Sequence, residues 1–573
     1  MGRSAPMASL DSPQLTRVEE RCLVGGGTVS GELEGIRRRA SDLAAELSKT
    51  ARQSATIAQE RAVLRMLDID GLDRSGRPLA AALAEKYCGS HPARLARGIL
   101  LPFAVALLEY ELTPRELALD VAAGSVDLAF EEELLARPDR LAAAERHAAG
   151  LIKAALARFD ANKTASREMR EVLGSSPEPL LGAVLTSSEV GSAARETRVC
   201  VGEGVDVVQV RVPASWEFTE ARRQAGLEAP DLFETSASRH KRERRQKAPA
   251  RFSRAGSGEP GSGQASRSEH EPVPAGSQRG LAELRKAADD AAAARGCYAS
   301  LMTVASAFAA PEQAVVAAFE RMDFVEADPI REIVEDNVDP GRALADHAFA
   351  HRLQARADCR VVIGPGPLAL GADVARGVPS DSFTRAGQGL AMQALGVELA
   401  LADGLKVDRL LLGAVPTWVA EDGDAGEVFV QASLRRLLFP GHRLVIEEAG
   451  ESPAAGSVAA LVTALSGGRA AVVVRRRIPG RGFETAAELR AAADAAAVLR
   501  ASLGDGTLHG DAATAADRIV AAANATLDRL ASEGWASLLG PTGTDEVERF
   551  GSAAVVERAS GPGASAALLE ALG

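Results

Sequence analysis

LLGAVLT at residues 180–186, a helical stretch, and then VDVVQVRV at residues 205–212 decide the fold of this chain. Short β-branched runs separated by helix-length segments make a βα repeat. The same alternation recurs at Tyr298–Ser306, Met322–Asp328, Arg360–Gly364, Asp408–Val415, Arg443–Glu448 and Ala470–Val474. With Leu180–Thr186 and Val205–Val212 these make eight candidate strands, the number of a (β/α)8 barrel. The third and fourth are weak by β-propensity, and an open doubly wound sheet shows the same alternation. Pattern alone leaves both architectures standing.

Outward from the repeat, residues 1–30 are polar, Gly-rich and aperiodic, and are expected to form a flexible tail. Between Glu32 and Leu67 apolar positions recur at three- and four-residue intervals, the stripe of an amphipathic helix. Thr113-Pro114-Arg115-Glu116 supplies an N-cap, a proline at the first helical position and a glutamate at the third, so a helix starts there. The expected organisation is a helical N-terminal region over 31–165, a barrel over 166–480 and a helical C-terminal appendage over 481–573. Glu234–Gly280, rich in Ser, Gly, Pro and Arg, interrupts the barrel as an expected disordered basic insertion.

The 573 residues suffice for one large barrel with appendages or for several ordinary domains, and 46% apolar with 25% charged residues is a soluble globular composition. A formal charge of -12 argues against a surface built for phosphate backbones, so nucleic acid is not an expected partner. Arg239–Arg254 holds eight Lys or Arg but only Phe252 for stacking, and reads as a solvated linker. The five scattered cysteines form no C-x-x-C pair, which fits a reducing cytoplasm. The N-terminus lacks a secretory pattern, and the apolar run Ile99–Leu108 is too short to span a bilayer. His347 and His351 share a helical face, but Ala348 stands where a zincin has glutamate; they read as a surface pair, and no metal is expected.

Specific stretches carry a family resemblance. Glu60-Arg61-Ala62-Val63-Leu64-Arg65-Met66-Leu67-Asp68-Ile69-Asp70-Gly71 is similar to the ERAV-x-R-L-x-G-I-D-G signature of the α subunits of lysine 5,6-aminomutase and D-ornithine 4,5-aminomutase. Ala123-Gly124-Ser125-Val126-Asp127-Leu128 resembles their AG-x-[LV]-DL, and Gly204–Arg211 their GADVIAVIR strand, one residue shorter. Pro311-Glu312 through Arg342, with Glu320-Arg321-Met322-Asp323, follows PEIA…IERLD…R; Gln431–Pro440 resembles QAQ…REIFP. The resemblance selects the TIM barrel.

It also implies an activity: a radical 1,2-amino migration on a basic amino acid such as lysine, catalysed with pyridoxal 5′-phosphate and adenosylcobalamin. The partner it implies is a β subunit that binds the cobalamin and supplies the Schiff-base lysine. Ser306 matches the family serine that bonds the pyridine nitrogen, Arg211 the arginine that pairs with the cofactor phosphate, and Ser215 the phosphate serine, displaced by one residue. None of the eight lysines falls clearly at a strand's carboxyl end, in keeping with a lysine supplied in trans. Departures are equally plain. Arg331 takes the place of a cofactor-contacting tyrosine and Asp336 that of an arginine. Gly364–Leu370 replaces an acid-bearing substrate turn, and Ala414 replaces a histidine. They motivate a second reading, a catalytically degenerate barrel acting as a binding or regulatory subunit.

Overall fold

The computed structural model describes residues 28–174, 176, 180–185, 187–211, 219, 223, 277–305, 307–364, 381–413, 425–447, 472–475, 477–478, 482–483, 510–539, 555–560 and 563–565. In helix α1 (Thr28–Arg52), Leu33, Ile36, Ala40 and Ala44 form the expected stripe and are buried. Strand β1 (Ser54–Thr56) leads into α2 (Ile57–Met66), whose N-cap Thr56 accepts from the Gln59 amide. Helices α3 to α8 follow over Leu79–Cys88, Pro92–Arg97, Leu100–Tyr110, Pro114–Ala123, Leu128–Leu134 and Pro138–Leu173. Thr113 and Glu116 close a capping box at the start of α6, where their spacing places it.

Eight parallel strands close into a barrel: β2 (Leu181–Val184), β3 (Val207–Arg211), β4 (Ser300–Val304), β5 (Phe324–Glu326), β6 (Arg360–Ile363), β7 (Leu410–Gly413), β8 (Arg443–Glu447) and β9 (Val472–Arg475). Pairing of Leu181 with Val473 joins the last strand to the first, which excludes the open sheet. Each expected strand is present, with small shifts at its ends. Between them run α9 (Val190–Gly202), α10 (Gln278–Arg295), α11 (Ala310–Phe319), α12 (Pro329–Val334), α13 (Pro340–Ala357), α14 (Ser382–Ala402) and α15 (Ala425–Leu438). Val207, Met302, Phe324, Val362 and Leu411 form an apolar cluster of their own, the filled interior of a packed barrel, apart from the continuous core between strands and helices.

Beyond the barrel come a hairpin of β10 (Arg477–Ile478) and β11 (Gly482–Phe483), then α16 (Gly510–Glu533), which packs on α14, and α17 (Ala536–Leu539). Strand β12 (Val555–Glu557) pairs antiparallel with β1 and so fastens the C-terminal part to the N-terminal helical layer. The expected tail and basic insertion lie outside the described residues except for 28–30 and 277–280. No helix among the described residues is long and apolar enough to cross a membrane.

Candidate functional site at the carboxyl end of the barrel

In this architecture the reacting groups gather where the strands end, because the interior below is filled with side chains. On the β3–β4 side, Arg211, the last residue of β3, is the register partner of Val304, the last residue of β4. The two tips are therefore neighbours at the same end of the cylinder, and Ser306 follows Val304 by two positions in sequence. The side chain of Arg211, and Ser215 and Ser306 altogether, lie outside the described residues, as do 365–370 and Ala414.

The β5 side is described in full. Asp328-Pro329 starts α12 in the way such a pair does: Asp328 is the N-cap, accepting from the amides of Ile330 at 2.9 Å and Arg331 at 3.4 Å, with proline in the first turn. Its carboxylate lies against Gly364 at the tip of β6, where an added Cβ would stand 2.8 Å from Oδ2. Burial raises the Asp328 pKa, partly offset by the charge of Arg331 and by the amide hydrogen bonds from Ile330 and Arg331.

Arg331, 24% exposed, spans two strand tips. It donates from Nη1 to Glu326 Oε1 at 2.6 Å and from Nη2 to the Ala305 carbonyl at 2.9 Å. Burial works against its charge, but Glu326, with Asp336, Glu335 and Asp328 nearby, outweighs that and holds the guanidinium above its usual pKa. Arg331 is thus a fixed strut between β4 and β5.

Behind this mouth lies a file of buried polar groups, and it corrects one expectation: His347 and His351 are 1% and 0% exposed, not a surface pair. Helix α13 packs against α1, α8 and α11, so it lacks the solvent face that a lone amphipathic helix would keep. His347 Nε2 meets Glu332 Oε1 at 3.0 Å, the two rings lie 5.8 Å apart edge to face, and His351 Nδ1 meets Asp403 Oδ2 at 2.9 Å. Ser48 of α1 donates to the other oxygen of Asp403 at 2.5 Å. Burial lowers the His347 pKa to about 4 and depresses that of His351 too. It drives Glu332 the other way, well above the carboxylate range, with Asp336 and Asp346 adding to the rise. Among the described residues no group of three ligating side chains could hold a metal ion.

On the β6–β7 side, the Gln393 side-chain amide donates to the carbonyls of Gly364 and Gly413, both at 2.7 Å, pinning the two strand tips together. The buried Arg435 donates from Nε to Gln393 Oε1 at 2.8 Å. From the helical layer Arg61, 2% exposed, donates to Glu312 Oε2 and to the Phe308 carbonyl, each at 2.6 Å. Two stretches that resemble one family thus touch in space. Sequence reasoning named Arg331 only as a departure and passed over Asp328, although Asp-Pro at a strand's end is a helix-start signal that marks it.

The family model described as D-lysine 5,6-aminomutase TIM-barrel domain of alpha subunit matches residues 30–215 and 276–446. The lysine 5,6-aminomutase alpha subunit of Acetoanaerobium sticklandii is 23% identical over 381 residues, covering 66% of this chain and 63% of the relative. That of Fusobacterium nucleatum is 22% identical over 421 residues, covering 72% of this chain and 69% of the relative. The chain therefore spans under two-thirds of the length of the first of these relatives.

Proposed function

Since the chain belongs to the family of the D-lysine 5,6-aminomutase α-subunit TIM-barrel domain, we propose that it is the α-subunit-like component of an aminomutase that moves an amino group between adjacent carbons of a basic amino acid such as lysine. The observation that carries the reading furthest is the register of Arg211 with Val304 in a closed barrel, which seats a guanidinium-bearing residue and the segment leading to Ser306 on adjacent tips at the reactive end. On this reading Arg211 and Ser215 would take the phosphate of a phosphorylated pyridine, and Ser306 its ring nitrogen.

When bound, pyridoxal phosphate supplies the conjugated ring and carbonyl through which nitrogen moves, and adenosylcobalamin, carried mainly by a β-type partner, supplies the radical. The chain's own residues enclose and orient. A neutral hydroxyl at the ring nitrogen leaves it largely unprotonated, which suits a radical shift better than carbanion chemistry. The apolar plug of Val207, Met302, Phe324, Val362 and Leu411 fills the barrel below the mouth; it would hold a bound substrate above it and exclude water from that side.

The test is co-purification with the product of the neighbouring reading frame. A partner bearing D-x-H-x-x-G and a lysine, together with a new visible absorbance band on adding pyridoxal phosphate, is the expected result. No band at saturating cofactor overturns the catalytic reading. One observation favours the alternative, a barrel that binds or regulates without turnover: Arg331, at the family tyrosine's place, is already paired with Glu326, and the described β5 side offers carboxylates rather than a free cation.

A further inference from the structure

Phe308 is held in a conformation that residues with a Cβ seldom adopt: its φ is +63°, in the left-handed region, and for a bulky aromatic residue this is strain that its surroundings must hold in place. Those surroundings can be named. The Phe308 ring is 1% exposed and lies beneath the Arg342 guanidinium at 4.6 Å, while its carbonyl accepts from Arg61 Nη2 at 2.6 Å. On the other side of the same short stretch, the Ala305 carbonyl accepts from Arg331 at 2.9 Å and its amide donates to the Glu326 carbonyl at 2.8 Å. Two guanidinium groups, one from the helical layer and one from the barrel, thus bracket residues 305 and 308 at the exit of β4.

We propose that Arg61 is a positioning residue for the tip of β4: from outside the barrel it helps to hold the strained Phe308 backbone through that residue's carbonyl, with the Phe308 amide bonded to Glu332 and Arg331 as the opposing strut at Ala305. What the tip does rests on the proposed function, because Ser306 falls within this stretch in sequence; how the tip is held does not. An arginine is required because its rigid fork addresses the Phe308 carbonyl and the Glu312 carboxylate at once, which an ammonium on a flexible stem does less well. Arg65, one turn further along α2, is the natural control. It lies 3.6 Å from the same Glu312, but its side chain turns to Asp70 and the Ile69 carbonyl and not to Phe308.

The experiment is hydrogen–deuterium exchange on the full chain, reading the peptide that covers 305–309 in wild type, Arg61→Met, Arg61→Lys and Arg65→Met. Exchange there is expected to quicken roughly tenfold in Arg61→Met, to be intermediate in Arg61→Lys and to stay at the wild-type rate in Arg65→Met, with α8 protected throughout. Pyridoxamine phosphate, which needs no lysine, is expected by calorimetry to bind about tenfold more weakly to Arg61→Met and as wild type to Arg65→Met. If Arg61→Met does not fold, Arg61→Lys carries both measurements. Wild-type exchange at 305–309 in a folded Arg61 variant, or equal acceleration in Arg65→Met, overturns the proposal. A wild-type chain that fails to bind pyridoxamine phosphate sinks the proposed function instead, and the exchange result still decides whether Arg61 holds the turn.

Discussion

Gly387 and Ala522 touch so closely that a Cβ on the glycine would stand 2.6 Å from that of Ala522 and 2.4 Å from the Ile519 carbonyl oxygen. Helix α16 of the C-terminal part rests on α14 of the barrel at this point, backbone nearly against side chain. Gly387→Ala is expected to force the helices apart and cost about 1–3 kcal/mol by overpacking, despite the better helix propensity of alanine. Urea denaturation checks it; an unchanged or raised midpoint would show that α16 does not dock so tightly.

The buried histidines predict a pH dependence with a definite sign. With the folded pKa of His347 at about 4 against an ordinary 6.5, the unfolded chain binds a proton in that interval which the folded chain refuses. Stability from this group is full above pH 6.5 and falls as pH drops toward 4, by about 1.4 kcal/mol per unit. His351 acts in the same direction. Asp328 and Glu332, raised by burial, act oppositely: they favour the fold at low pH and lose that contribution as pH rises through their folded values. Melting between pH 4 and 7 should show a shallower acid limb in His347→Gln; an identical limb would mean that His347 is not held neutral.

Removing the strut at the mouth leaves a carboxylate behind. Arg331→Met deprives Glu326, 8% exposed at its side chain, of its partner and is expected to destabilise the fold by about 1–3 kcal/mol. Arg331→Met combined with Glu326→Gln should cost less than the two single changes added together, since the groups are in contact. A denaturant double-mutant cycle reads this directly, and strict additivity would contradict the pairing.

At the surface, Thr113→Ala removes the capping box at the start of α6 and should cost about 1 kcal/mol. Thr113→Asn should restore most of that. A thermal midpoint indifferent to both changes would mean that α6 is held by its packing alone.

The βα repeat was legible because most strands are short apolar runs between helix-length segments, a period that survives without contact information, whereas the choice of a barrel came from the family resemblance. Closure was not, since the pairing of β9 with β2 joins residues nearly 300 apart and leaves no local trace. β1 escaped notice for the same reason: Ser54-Ala55-Thr56 carries no strand signal until Val555–Glu557 lies beside it. The histidine pair was misplaced because helical spacing shows that two side chains share a face and not whether another layer covers it. Arg211, Ser215 and Ser306 came from resemblance, while the Arg331–Glu326 strut emerges only in the fold, because Glu326 belongs to a strand and Arg331 to the helix that follows.

The meeting of β1 with β12 also sets a timetable for synthesis. Glu60 is wholly buried, and the arginine nearest its Oε1, at 4.0 Å, is Arg558, which enters just after β12. At a ribosomal pace of about 5–20 residues per second, the first helices wait on the order of a minute for that counter-charge and for the strand that covers their exposed edge. Until then β1 lacks the strand that pairs with it in the finished fold, and Glu60 lacks its arginine.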